Sequence, residues 1–107
     1  MRKFLEVHTT TGSRAEAERI AEKLIDERVA ACVQILGPIW SVYRWKGAVA
    51  SSKEWLCIMK TREDLFNTLQ EIITGLHSYE VPEIIAVQVD SGSTPYLSWL
   101  QDELRGK

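Results

Sequence analysis

Ala31-Cys32-Val33-Gln34-Ile35-Leu36-Gly37-Pro38-Ile39-Trp40-Ser41-Val42-Tyr43-Arg44-Trp45, followed after a polar stretch by Glu54-Trp55-Leu56-Cys57-Ile58-Met59-Lys60, decides the fold. Both runs are dense in β-branched and aromatic residues, which pack well on a pleated surface, so each reads as a strand. The polar residues from Lys46 to Lys53 form the turn region that joins the two as a hairpin. Gly37-Pro38 interrupts the first run. Proline cannot donate to a ladder, so this strand is expected to bend or bulge there and to lie at a sheet edge. The second run is nearly continuous in apolar residues, as a central strand covered on both sides should be.

On the N-terminal side, Lys3 to His8 alternates, with Leu5 and Val7 on one face and Phe4, Glu6 and His8 on the other, which predicts a first strand. Thr9 to Gly12 reads as a turn. Ser13-Arg14-Ala15-Glu16 is a capping box: the Ser13 hydroxyl accepts a first-turn amide, and Glu16 is expected to reach back to the Ser13 amide. Ala17, Ile20, Ala21, Leu24 and Ile25 then place one apolar stripe on a helix from Arg14 to Arg28.

On the C-terminal side, Thr61 is expected to cap a second helix carrying Leu65, Phe66, Leu69, Ile72, Ile73 and Leu76, with Gly75 near its end. A loop from His77 to Pro82 follows, and Glu83 introduces a last strand, Ile84 to Val89. Thr94-Pro95 opens a short C-terminal helix with Leu97, Leu100 and Leu104. Tyr96 and Trp99 share a face of it, a spacing explained by packing. The order strand, helix, strand, strand, helix, strand, helix predicts an α+β, ferredoxin-like β-α-β-β-α-β sheet with the helices on one face and an extra C-terminal helix. The second and fourth strands then lie at the edges. A long edge strand bearing Ile35, Ile39, Trp40, Val42, Tyr43 and Trp45 is an aggregation hazard unless it is covered, so a closed homo-oligomer is expected.

The 107 residues are expected to form a single domain, 1–107, with one hydrophobic core. Net charge is -2, with 13 basic residues scattered among 15 acidic ones, so no basic patch points to nucleic acid. No apolar run approaches the roughly 18 residues of a membrane span, and a charge at Glu6 precedes any signal-like run, so the cytoplasm is the expected location. Cys32 and Cys57 both lie in strands. If Cys57 pairs near Val42, Cys32 is roughly 30 Å away and no disulfide joins them.

Ala30-Ala31-Cys32-Val33, Tyr43-Arg44-Trp45-Lys46-Gly47, Met59-Lys60-Thr61, His77-Ser78-Tyr79-Glu80-Val81-Pro82-Glu83-Ile84 and Tyr96-Leu97-Ser98-Trp99, in that order, resemble the CutA family of divalent-cation tolerance proteins. The match spans essentially the whole chain. It departs where the family's loop usually reads His-Pro-Tyr and this chain has His77-Ser78-Tyr79, and where His8 replaces a cysteine of some members. The resemblance implies a homotrimer similar in architecture to the PII signalling proteins, and a link to copper and other divalent cations. It implies no reaction, so the protein is not expected to be an enzyme and no cofactor is required.

Three constellations carry chemistry. His77 and Glu83 flank the loop, and His8 ends the first strand, which this topology sets beside the strand begun by Glu83. Imidazole and carboxylate together suit Cu(II) or Zn(II), copper being favoured by the usual affinity order. The same residues have a structural use, His77 at a helix C-terminus and Glu83 accepting from loop amides. Second, Lys60, Tyr79 and Trp45, with Tyr43, suit an inter-subunit cleft for a small anion or metabolite, which would make the protein a PII-like sensor or enzyme. Their structural use is interface packing and a solvated strand end. Third, Cys32 is a thiol in an apolar strand, a setting in which packing is the ordinary role. Thr10-Thr11-Gly12-Ser13 lacks a glycine-rich phosphate loop, and no Ser/His/Asp arrangement is legible.

Overall fold

A computed structural model describes residues 3–106. Four strands, β1 (Phe4–Thr11), β2 (Cys32–Trp45), β3 (Ala48–Arg62) and β4 (Ile85–Gln88), alternate with three helices, α1 (Arg14–Asp26), α2 (Phe66–Leu76) and α3 (Thr94–Glu103). The strands form one antiparallel sheet ordered β2-β3-β1-β4, which is the ferredoxin-like arrangement, with β2 and β4 at the edges. Leu5 and Val7 of β1 and Cys57 and Met59 of β3 meet Ala17, Ile20 and Leu24 of α1 and Leu69 and Ile73 of α2 in one buried core. Each side contributes residues at its own period, two for the strands and three to four for the helices, so α1 and α2 cover a single face. The α3 helix is tied in by backbone: the Arg28 guanidinium donates to the carbonyls of Asp102 and Glu103 at 2.8 and 2.9 Å.

Strands β1 and β3 are longer than the sequence pattern suggests. Thr9 and Thr11 continue the inward row of β1 and are fully buried, because β-branched threonine suits a strand as well as a turn. The hairpin turn is confined to Lys46 and Gly47, whose φ values of 51° and 81° give the left-handed two-residue turn that matches strand twist. Ser51, Ser52 and Lys53 are therefore paired with Val42, Ser41 and Trp40 instead of looping out. The register shifts accordingly: Cys57 faces Ile35, not Val42, and Cys32 faces Lys60. That places the two thiols three positions apart on neighbouring strands, about 10 Å at strand rise, and both are free. Burial first, then the nearby Glu16 charge, pushes the Cys57 thiol up to about 11.

Other element ends also move. Thr61 is no cap: it lies in β3, and its buried hydroxyl donates to the Val29 carbonyl at 2.6 Å. A 3-10 turn, Glu63–Leu65, leads into α2 instead. The α1 helix stops at Asp26, and Arg28 takes a left-handed φ of 58°. Ser93, one residue before Thr94, occupies the cap position of α3, and β4 keeps only Ile85–Gln88 of the expected run.

The expected interruption of β2 is present, as a register shift between Leu36 and Ile39 around Gly37-Pro38. The Trp55 indole packs against Gly37 so closely that a Cβ there would overlap the ring. Gly37→Ala is expected to lower stability by about 1–3 kcal/mol, as overpacking against a rigid ring does. Urea denaturation followed by tryptophan fluorescence measures it, and an unchanged midpoint would show that the ring relocates freely.

Candidate functional site

The loop after α2 is held from below by a buried carboxylate. Ser13 caps α1 as expected, its hydroxyl accepting from the Glu16 amide at 3.1 Å, but Glu16 does not reach back to Ser13. Its side chain turns toward the end of α2, where Oε2 accepts from the Ser78 amide at 2.7 Å and Oε1 from the Ser78 hydroxyl at 3.0 Å. Glu16 is buried, and donors on both of its oxygens offset the cost of that burial.

His77 is buried beside it. Its Nε2 donates to the Thr10 carbonyl at 2.7 Å, and its Nδ1 accepts from the Tyr79 amide at 3.1 Å. The Thr10 carbonyl fixes a proton on Nε2, and Nδ1 also stands 3.4 Å from Glu16 Oε2. Tyr79 follows and crosses Gly12, where a Cβ would stand 3.3 Å from its hydroxyl. That hydroxyl donates to Glu54 Oε2 at 2.7 Å. Burial, then the bond to Glu54, holds the Tyr79 phenol well above its ordinary range, so it remains a donor at neutral pH.

Between this loop and the outer half of the hairpin lies a cleft of about 660 Å³, open at one side. Tyr43, Trp45 and Tyr79 form aromatic walls, with Val42 and Val81 beside them. Glu54, Glu80 and Glu83 supply three carboxylates, and no Lys, Arg or His lines it. At its rim Lys46 Nζ stands 3.8 Å from Glu80 Oε2 and 5.7 Å from the Trp45 ring centre.

The structure therefore divides the expected site residues. Trp45, Tyr43 and Tyr79 do share a cleft, but Lys60 is outside its lining and donates to Gln34 Oε1 at 3.1 Å. Glu83 lines the cleft, whereas His8 lies on the outer sheet face between Ile58 and Ile85, its Nε2 2.7 Å from Glu6 Oε2. Among the described residues no three His, Cys, Asp or Glu side chains converge to hold a metal ion, so His8, His77 and Glu83 do not form one set. Cys32 is half-buried near the Tyr96 hydroxyl, whose ionisation is pushed up by burial and then by this neighbour. Glu54 is the residue that sequence reasoning missed, because it stands at the polar start of the apolar run of β3, beside Lys53, where a carboxylate gives no signal.

Residues 5–103 match the family described as CutA1 divalent ion tolerance protein. The chain belongs to the CutA1 family. This CutA1 chain is 42% identical over 93 residues to the divalent-cation tolerance protein CutA of Thermus thermophilus, covering 87% of this chain and 90% of that one. It is 41% identical over 99 residues to the chloroplastic CutA protein of Arabidopsis thaliana, covering 92% of this chain but 54% of the relative, so it spans about half the length of that plant protein. The crystal structure of CutA1 from Oryza sativa superposes with a TM-score of 0.95 at 39% identity, over 98% of this chain and 96% of the other. No described helix is long and apolar enough to cross a membrane.

If Glu16 anchors the loop, Glu16→Gln keeps one acceptor and loses the other, along with its charge. The expected cost is about 1–3 kcal/mol. It should be accompanied by faster amide hydrogen exchange at Ser78 and Tyr79, and exchange unchanged at those two positions would remove the anchoring role.

Proposed function

We propose that this CutA1 chain serves divalent-cation tolerance, copper included, as a binding protein with no chemical step of its own, and that Glu54, Glu80 and Glu83 are its cation-facing groups. The observation that carries this reading is the lining of the cleft, three carboxylates against the one lysine, Lys46, that stands at its rim beside Glu80. Such a cleft concentrates cations by its field. Because the carboxylates do not converge on one point, the ion is expected to keep part of its water shell and to bind modestly. Among first-row ions, copper should bind most tightly. His77 is an unfavourable ligand because both ring nitrogens are already bonded, Nε2 to the Thr10 carbonyl of β1 and Nδ1 to the Tyr79 amide of the loop.

Calorimetric titration with Cu(II) and Mn(II) tests the assignment. Glu80→Gln/Glu83→Gln is expected to weaken both ions by about tenfold or more, a difference of about 1.4 kcal/mol. His8→Ala is expected to leave them unchanged. The opposite pattern would move the site to the histidines.

The same reading includes a closed homotrimer. Trp40, Val42 and Val49 on the hairpin are about two-thirds exposed, at 68%, 64% and 68%, and Ile85 and Val87 leave the β4 edge half open. An apolar surface of this kind on two unpaired edges favours self-association. Light scattering at micromolar concentration should give close to three times the 12.2 kDa chain mass. A Trp40→Glu/Val49→Glu variant should lower it, and a wild-type monomer would end the proposal. Two free thiols accord with the proposed reducing, cytoplasmic location.

A further inference from the structure

The cleft is much larger than a metal ion needs, and its walls have a chemistry that a hydrated ion would not use. A volume of about 660 Å³ lies in the range of small-molecule sites. Trp45, Tyr43, Tyr79, Val42 and Val81 give it apolar and π-rich surface. The carboxylates differ in depth: Glu54 is only 6% exposed, whereas the Glu80 side chain at the rim is 72% exposed. Glu54 spends Oε2 on Tyr79, and its Oε1 accepts no hydrogen bond from the described residues. That oxygen is not sealed from solvent, so a donor from a ligand in the cleft can take the place of water on it. At the rim the protein places an ammonium of its own, that of Lys46, against Glu80 and above Trp45. Both partners of that contact are largely exposed, so an incoming ammonium can replace it.

From the acidic lining, the aromatic walls and the two depths of carboxylate, we infer that the cleft binds an aliphatic diamine, one ammonium at Glu54 and the other at the rim with Glu80 and Glu83. The methylene chain lies along Trp45 and Val81, and the rim ammonium gains cation–π attraction from Trp45. The inference rests on the reading of the cleft as a cation site and names an organic cation as its second occupant. Diamine and divalent metal ion then compete.

Calorimetric titration of the whole chain with putrescine at neutral pH and low salt tests it, beside the diol analogue that carries hydroxyls for amines. Saturable binding of putrescine and none of the diol is expected. Glu54→Gln and Glu80→Gln should each weaken it about tenfold, the second without any effect on folding because Glu80 is exposed. Trp45→Ala should weaken it severalfold and Trp45→Phe should restore most of the loss, since a ring returns. Equal binding of diol and diamine would overturn the inference, as would undiminished binding by both carboxylate variants. No binding of putrescine with Mn(II) binding intact would overturn this inference alone, and loss of both would overturn the cleft as a cation site.

Discussion

The carboxylate of Glu16 is the contact on which the candidate site depends. It joins the first turn of α1 to the residues that leave α2. Accepting from both the amide and the hydroxyl of Ser78, at 2.7 and 3.0 Å, it holds the chain where His77 reaches the Thr10 carbonyl and Tyr79 reaches Glu54. The carboxylates of Glu16 and Glu54 are buried and the groups between them bond from one to the next, so each link supports its neighbours. The loop is thereby placed opposite the hairpin, and the cleft is the space left between them.

The hairpin supplies the other wall, and its length follows from the two-residue turn at Lys46-Gly47. A longer turn would have shortened both strands and taken Trp45 and Tyr43 away from the loop. With the tight turn, Glu54 pairs with Ile39 just beyond the irregularity at Gly37-Pro38, where it can meet Tyr79. The exposed apolar residues of the same hairpin are the cost of this reach. A protein that extends a long two-stranded arm to build a cleft leaves that arm to be covered by something outside its own core.

Several particulars of the fold were legible in advance. Leu5 and Val7, Ile20 and Leu24, and Leu69 and Ile73 show their buried faces through spacing, and the core is built from them. The bulge at Gly37-Pro38 could be anticipated because proline lacks a donor. Misreadings fell where a residue suits two roles. Thr9, Thr11 and Thr61 serve turns or caps as readily as strands, and burial decided for strands. Ser51 and Ser52 look like loop residues yet pair on a strand, since one positive-φ pair sufficed to reverse the chain. Glu16 stands at the capping-box position, but two donors on Ser78 compete better for its carboxylate than the Ser13 amide does.

By itself the sequence determined the order of elements, the face each one buries, the ferredoxin-like sheet and the family, because these rest on local periodicity and on motifs read along the chain. Only the tertiary structure decided which polar groups meet: Glu16 with Ser78 across 62 positions, Glu54 with Tyr79 across 25, and Lys60 with Gln34 outside the cleft. A buried carboxylate takes whichever donors the crossing backbones bring within hydrogen-bond range, and sequence spacing does not encode that. For the same reason the three residues that looked like a metal set do not converge among the described residues, while an acidic, aromatic cleft formed from residues with no shared pattern.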